Sequence, residues 1–249
     1  MEVHAHSHTP RKKWTHYFWE FLMLFLAVFC GFLAEYQLEH KIEKDREKQY
    51  IQSLNRDLKE DTTFINRFLQ ILSDDDRNLD TLIELINTNK YAAEANTFYS
   101  LALKSRSVWY MEYQKSTFDQ LKNSGSLRLL RKWGIADRLT IYNNIMTDMI
   151  SKHEARLMQA TANIASYQTE ILDARYFKKQ TFLAEGRSLD FYTVDNPVMG
   201  KIDENKMKKL KNLYFEKQLL IPYYMGFLLE IKNKARNLLQ IIEEKYHLE

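Results

Sequence analysis

Few side chains in this sequence have the type and spacing that chemistry at a defined site requires. His153 and Glu154 begin the pattern of a helical zinc site, in which a second histidine follows the first by four residues. That position holds Leu157, so the second zinc ligand is missing. His153 is therefore predicted to be a structural residue.

The N-terminal tail carries the other histidine cluster, His4, His6 and His8. Alternating imidazoles can bind nickel, copper or zinc weakly, but a flexible tail gives them no rigid frame. The adjacent aspartates at 74–76 point in different directions on a helix and seldom share one ion. We predict no metal site, and weak metal binding by the three histidines is an open alternative.

Patterns of nucleotide enzymes and hydrolases are absent. Neither G-x-G-x-x-G nor G-x-x-x-x-G-K-[ST] occurs, and nothing around Ser124 or Ser126 forms the elbow that exposes a nucleophile. The net charge of +3 is small and mixed in sign along the chain, so nucleic acid is not an expected partner. The sequence predicts no enzyme activity and no cofactor.

The apolar run at residues 14–36, WTHYFWEFLMLFLAVFCGFLAEY, is the clearest functional signal. As a helix rising about 1.5 Å per residue it spans about 34 Å, enough to cross the hydrocarbon core of a bilayer. A signal peptide is the alternative, because Arg11, Lys12 and Lys13 precede the run. Small residues at a cleavage site are missing, so an uncleaved anchor is predicted.

Glu20 lies inside this run, and a carboxylate there requires an explanation. At about 100° per residue, Glu20 shares a helix face with Ala27, Gly31, Ala34 and, slightly to one side, Glu35. Ala27 and Gly31 let a second helix approach closely, and a carboxylate facing that helix costs less than one facing lipid. This face is the predicted interface with a partner helix. The alternative is that Glu20 lies at headgroup depth and is solvated.

The remaining sequence predicts an all-α fold. Only six glycines and three prolines occur, whereas loops and hairpins require both. The predicted architecture is one N-terminal transmembrane helix that continues into an elongated antiparallel bundle of about four helices. We assign residues 1–13 to a flexible tail, 14–36 to the anchor and 37–249 to the bundle, with an irregular connection at 176–200 and a brief extended piece at 191–194.

Apolar residues follow the anchor at the alternating three- and four-residue spacing of a coiled-coil seam. The first seam contains Ile51, Leu54, Leu58, Ile65, Phe68, Leu72, Leu79, Leu82 and Ile86. Asp61 and Asp75 interrupt it. The helix is predicted to break at 89–94 and to resume near Ala95.

Later helix boundaries follow from caps and breakers. Gly125 is predicted to end a short helix, Asp137 to start one that ends near Asp173, and Asp203 to start the last. Pro222 is predicted to kink that last helix or to mark a fresh start. Large aromatic residues are predicted to pack in the bundle core, with a ligand pocket as the alternative; they include Trp109, Tyr110 and Trp133.

Two blocks resemble uncharacterised single-pass membrane proteins of Bacteroidetes-type bacteria. They are WEFLMLFLAVFCGFLAEYQLEHKIEKDREKQYIQSL and TFDQLKNSGSLRLLRKW. The second is similar to the pattern T-[FY]-x-x-L-K-x-S-G-x-L-x-L-[IL], matched by Thr117, Phe118, Leu121, Lys122, Ser124, Gly125, Leu127, Leu129 and Leu130. The resemblance implies a Gram-negative inner-membrane location and no particular activity.

The function predicted from these features is a membrane-anchored scaffold or assembly subunit. Its expected partners are the lipid bilayer and either further copies of itself or the other subunits of a membrane complex. The basic tail favours a cytoplasmic N-terminus and a periplasmic bundle, although lysine and arginine counts on the two sides of the anchor are nearly even. The alternative is an extracytoplasmic sensory or ligand-binding bundle that signals through a partner membrane protein.

Overall fold

The computed structural model describes residues 14–184 and 187–248. The predicted tail at 1–13, with His4, His6 and His8, lies outside the described residues. The helices are α1 (Trp14–Asn87), α2 (Ala95–Lys104), α3 (Ser116–Asn123), α4 (Ile135–Gln168) and α5 (Glu204–Tyr246). Short 3-10 helices occupy Ser126–Leu130, Lys132–Gly134 and Ala174–Tyr176, and the two strands are β1 (Phe177–Ala184) and β2 (Arg187–Val194). The predicted all-α class is confirmed, with this small sheet as an addition.

The chain divides into two units, with the boundary between Tyr50 and Ile51 inside α1. The first unit, over its described residues 14–50, is helical throughout and contains no buried residue. It holds the one described segment that is long and apolar enough to cross a membrane.

The helical core of the second unit includes two heptad seams, one on α1 and one on α5. Alternating three- and four-residue spacing places each seam on one helix face. On α1 the buried seam residues are Ile51, Leu54, Leu58, Asp61, Ile65, Phe68, Leu72, Leu79, Leu82 and Ile86. On α5 they are Met207, Leu210, Tyr214, Lys217, Ile221, Tyr224, Leu228, Ile231, Ala235, Leu238 and Ile242.

Contacts within this unit fix the helix directions. Near one end Lys59 pairs with Glu243 at 2.9 Å, and near the other Lys211 donates a hydrogen bond to Asn87 at 2.9 Å, so α1 and α5 run antiparallel. α4 is also antiparallel to α5, because Arg138 donates to Asn237 at 2.9 Å and Lys209 lies over the Tyr167 ring. The antiparallel bundle is thus confirmed, with three long helices instead of about four.

The segment predicted as an irregular connection contains an antiparallel β-hairpin. β1 pairs with β2 from Phe177 opposite Val194 to Ala184 opposite Arg187. Both strands contain aromatic and β-branched residues that suit a pleated backbone, and two residues separate them, which is a hairpin spacing. The extended piece predicted at 191–194 lies within β2. The irregular assignment was wrong for the other strand residues, 177–184 and 187–190, whereas residues 195–200 have no regular structure.

Several helix boundaries differ from the predictions. α5 runs through Pro222 without a fresh start, and Pro222 lies exposed on the helix surface. α4 begins at Ile135, before the predicted Asp137, and ends at Gln168 instead of near Asp173. Gly125 does end the short α3 segment, since it adopts φ 69°, the left-handed conformation that glycine tolerates.

Candidate functional site

The predicted interface residues of the anchor all lie exposed on α1: Glu20, Ala27, Gly31, Ala34 and Glu35. A Cβ atom added at Gly31 would meet no atom within 4 Å, so nothing in the described protein covers this position. At about 100° per residue the opposite face carries phenylalanines. Three of them form a ladder, in which the Phe21, Phe25 and Phe29 rings stack one turn apart. The anchor therefore has one small face and one bulky face.

Glu20 has a partner on its own helix. The His16 Nε2 atom lies 3.1 Å from Glu20 Oε1, one turn away. A pair at this spacing needs no second helix and forms on a helix surface. The carboxylate is therefore locally satisfied, near the end of the apolar segment where Trp14 and Tyr17 lie.

The bundle holds a buried ion pair that the sequence alone did not reveal. Lys217 is 1% exposed, and its Nζ lies 2.9 Å from Asp75 Oδ2. The same ammonium donates to the carbonyl oxygens of Ser105 at 2.9 Å and Ser107 at 3.4 Å. Burial raises the pKa of Asp75, and the charge of Lys217 opposes that rise. Both charges sit in the heptad seams, where a polar layer fixes helix register.

Gln168 forms the centre of a neighbouring buried network. Its amide nitrogen lies 3.0 Å from Ser105 Oγ, 2.8 Å from the Tyr214 hydroxyl and 3.1 Å from the Ala102 carbonyl oxygen. Its amide oxygen accepts from Arg106 Nε at 2.5 Å. This network fixes the C-terminal end of α2 against α4 and α5.

Asp61 and Glu154 accept backbone hydrogen bonds in the same part of the bundle. Asp61 accepts from the Gln114 N–H at 2.7 Å and from the Tyr142 hydroxyl at 2.7 Å. Glu154 accepts from the Met111 N–H at 2.6 Å. Burial raises the pKa of Asp61 to about 6 despite these hydrogen bonds, and burial also raises the pKa of Glu154.

Together these contacts define a clamp around residues 105–115, the connection between α2 and α3, which we call the strap. Each long helix contributes one charged side chain to the strap backbone: Asp61 from α1, Glu154 from α4 and Lys217 from α5. The strap has little regular structure to satisfy its backbone groups, so these side chains supply the missing partners. These three side chains hold the strap backbone in place. Among them no nucleophile is paired with a base.

Other residues considered from the sequence have structural surroundings. The His153 ring stacks on Tyr224 with centroids 5.2 Å apart and contacts Phe227, and burial lowers its pKa. The prediction that the large aromatics form core was wrong for Trp109, Tyr110 and Trp133, which are 55%, 54% and 47% exposed. Trp109 and Tyr110 lie in the strap, where the next residue, Met111, is buried. Within the described residues no group of three or more His, Cys, Asp or Glu could hold a metal ion.

Lys217 could have been found from the sequence, because it occupies a core position in the unbroken repeat of α5. Its spacing from Tyr214 and Ile221 is the spacing of the seam. Glu154 and Gln168 carry no comparable signal, since their partners lie in other helices and in the strap.

Comparison of the chain with protein-family models, curated proteins and solved structures finds no match. The resemblance noted from the two sequence blocks therefore stays a prediction.

Proposed function

We propose that this protein is a membrane-anchored scaffold or assembly subunit that acts through helix–helix contacts and has no catalytic activity of its own. The observation that carries the proposal is the anchor face formed by Glu20, Ala27, Gly31, Ala34 and Glu35, none of which is buried within the protein. Close approach of a second helix is what such small residues permit in a bilayer. The charged groups of the bundle interior, in contrast, hold its own strap.

The proposed location is a bacterial inner membrane, with a cytoplasmic N-terminus and a periplasmic bundle. The basic tail before the anchor supports this orientation. Protease added to spheroplasts should then cleave within residues 176–200. Full protection of this region in intact spheroplasts, with cleavage after lysis, would place the bundle in the cytoplasm.

The anchor face is tested by Gly31→Leu, which adds a side chain where helices would approach. We expect loss of association through the anchor face in membranes, measured as crosslinking at Ala27→Cys. In a Cys30→Ser background, Ala27→Cys on the small face should crosslink more than Phe25→Cys on the phenylalanine face. Equal crosslinking at both positions, with unchanged Ala27→Cys crosslinking in the Gly31→Leu variant, would contradict the proposal.

A sensory or ligand-binding bundle is the second candidate, and one feature favours it. An open groove of about 610 Å³ lies between α4 and α5, with mostly polar residues on the α4 wall and mostly apolar residues, together with Glu216, on the α5 wall. Its lining includes Arg156, Leu219 and Tyr223. A small molecule that uses this groove should raise the melting temperature of the native protein but not that of an Arg156→Gln, Leu219→Ser variant.

A further inference from the structure

α5 carries an apolar stripe on the face opposite its buried seam. With Tyr214 and Lys217 taken as heptad positions a and d, the outward face is formed by positions b and f. These positions are polar near both ends of the helix, at Lys208, Asn212, Asn233, Arg236 and Gln240. Between them five successive b and f positions are apolar or small: Phe215, Leu219, Pro222, Gly226 and Leu229.

This 215–229 stripe is uncovered in the structure. Phe215 is 51% exposed, Leu219 49% and Leu229 46%. A Cβ atom added at Gly226 would meet no atom within 4 Å. A b/f face normally carries charged residues, so an apolar stripe here marks a contact surface.

We propose that the 215–229 stripe is the seam of a parallel, two-fold dimer between the α5 helices of two copies of this chain. The stripe repeats at four- and three-residue spacing, which is the spacing that keeps one face of a helix against a parallel partner. Its centre holds Pro222 and Gly226, four residues apart, so the two helices approach closely there. The larger Phe215, Leu219 and Leu229 pack against the second copy on either side of this close approach.

Charge complementarity identifies a second copy as the occupant. In a parallel helix pair, the residues on the two sides of the seam also meet. A residue on one side of the seam faces the residue five positions later in sequence on the other helix. For this seam the rule places Lys211 of one copy opposite Glu216 of the second copy, and the reverse contact follows by symmetry. Lys211 is held on its flank of α5 by the 2.9 Å hydrogen bond to Asn87, and Glu216 is exposed on the other flank.

The antiparallel alternative lacks this complementarity. Two α5 helices paired antiparallel about Pro222 and Tyr223 would bring Glu216 near Glu230 of the second copy, because both lie on the flank that faces α4. Like charges opposite each other disfavour that register. The parallel register is therefore the one that the sequence of α5 supports.

The dimer seam lies in the bundle and goes beyond the proposed anchor contact. Association through the anchor face would fail in a Gly31→Leu variant, whereas the α5 seam does not use Gly31. All variants below therefore carry Gly31→Leu and Cys30→Ser, in the full chain purified in detergent. Failure of either interface can then be recognised separately.

Cysteine crosslinking tests the seam and its direction. Leu219→Cys should form disulfide-linked dimers at least about fivefold faster than Gln240→Cys, a control on the same face beyond the stripe, because identical seam residues meet in a parallel pair. Dimers that form only when Leu219→Cys is mixed with Gly226→Cys would overturn the parallel arrangement. Equal rates at 219 and 240 would overturn the seam altogether.

A charge exchange tests the flanking pair. Lys211→Glu and Glu216→Lys should each reduce the dimer population about fivefold, since two symmetric ion pairs are replaced by like charges. Combining both changes should restore the dimer. Melting curves check that each variant folds, and a double variant that is weaker than either single variant would overturn the assigned contact.

Discussion

The anchor and the bundle place charged residues in apolar helices in two different ways. In the bundle, Asp75 and Lys217 occupy seam positions, and each finds its counter-charge on a helix far away in sequence. In the anchor, Glu20 pairs with His16 one turn away. The first pair exists only when the helices pack, whereas the second forms on an isolated helix.

This difference separates charges that hold the bundle together from a charge paired on an exposed helix surface. A buried charge must be paired and hydrogen-bonded, so Asp61, Glu154 and Lys217 are committed to the strap. The anchor face has no such commitment, since its small residues are exposed. Four measurements test this difference between the anchor and the bundle.

The largest effect is expected from breaking the buried pair. Lys217→Met leaves Asp75 buried without a counter-charge and removes the donor to the Ser105 carbonyl, so the unfolding free energy should fall by about 3–5 kcal/mol. Chemical denaturation measures this. Lys208→Met, on the exposed face of the same helix, is the matched control and should change stability by less than about 0.5 kcal/mol.

A double change sharpens the same test. Asp75→Leu combined with Lys217→Met removes both charges, so most of the lost stability should return. If the double variant is as unstable as Lys217→Met, the lost hydrogen bonds to the strap carbonyls, and not the broken ion pair, account for the lost stability.

The next effect is a pH dependence that comes from Asp61. Its pKa is raised to about 6 in the folded protein from 3.8, so the folded state binds this proton more tightly than the unfolded chain. The stabilisation from protonation is fully present below pH 3.8 and is lost as the pH rises through about 6.

Comparison with Asp61→Asn isolates this contribution. Between pH 7 and pH 4 the native protein should gain up to about 3 kcal/mol of unfolding free energy relative to the variant. Glu154 remains in both proteins and cancels in the difference. Parallel stability curves for the two proteins would show that Asp61 does not titrate in this range.

A smaller effect is expected at Thr161, whose buried hydroxyl has no hydrogen-bond partner in the part of the chain that the structure describes. Thr161→Val should leave stability unchanged or raise it by up to about 1 kcal/mol, because no bond is lost. Thr147→Val is the control, since that hydroxyl lies 2.9 Å from the Tyr113 hydroxyl. A clear destabilisation by Thr161→Val would reveal a partner that the structure lacks.

The smallest effect concerns Glu20. Glu20→Gln should leave the denaturation midpoint of the bundle unchanged, because Glu20 is exposed on the anchor helix. Association measured by crosslinking through Ala27→Cys should weaken by only about 0.6 kcal/mol, since an amide still forms an interhelical hydrogen bond. A shifted bundle midpoint would show that Glu20 contributes to the stability of the bundle.

The seam positions of α1 and the start of α5 at Asp203 were predictable, because they depend on residues within a few turns. Asp203 accepts from the Asn205 and Lys206 N–H groups, as an N-cap should. The hairpin at 177–194 was missed, although its strand composition carried the signal. The low glycine and proline content favoured helices throughout. That content is an average over the whole chain, so it does not determine the structure of one short segment.

The strap shows where prediction from the sequence ends. Nothing near Met111 or Gln114 indicates that Glu154 and Asp61 accept their backbone N–H groups. Asp61 and Asp75 appeared only as interruptions of an apolar seam, and their partners Tyr142 and Lys217 came from other helices.

Hydropathy and periodicity are local properties of the sequence. They were enough to predict the long helices, the apolar anchor segment with Glu20 on its small face, and the heptad seam that begins at Ile51. The choice of partner across the core depends on the register between helices that are remote in sequence. That register brings Lys217 to Asp75 and leaves the 215–229 stripe outside, and only packing of the whole bundle sets it.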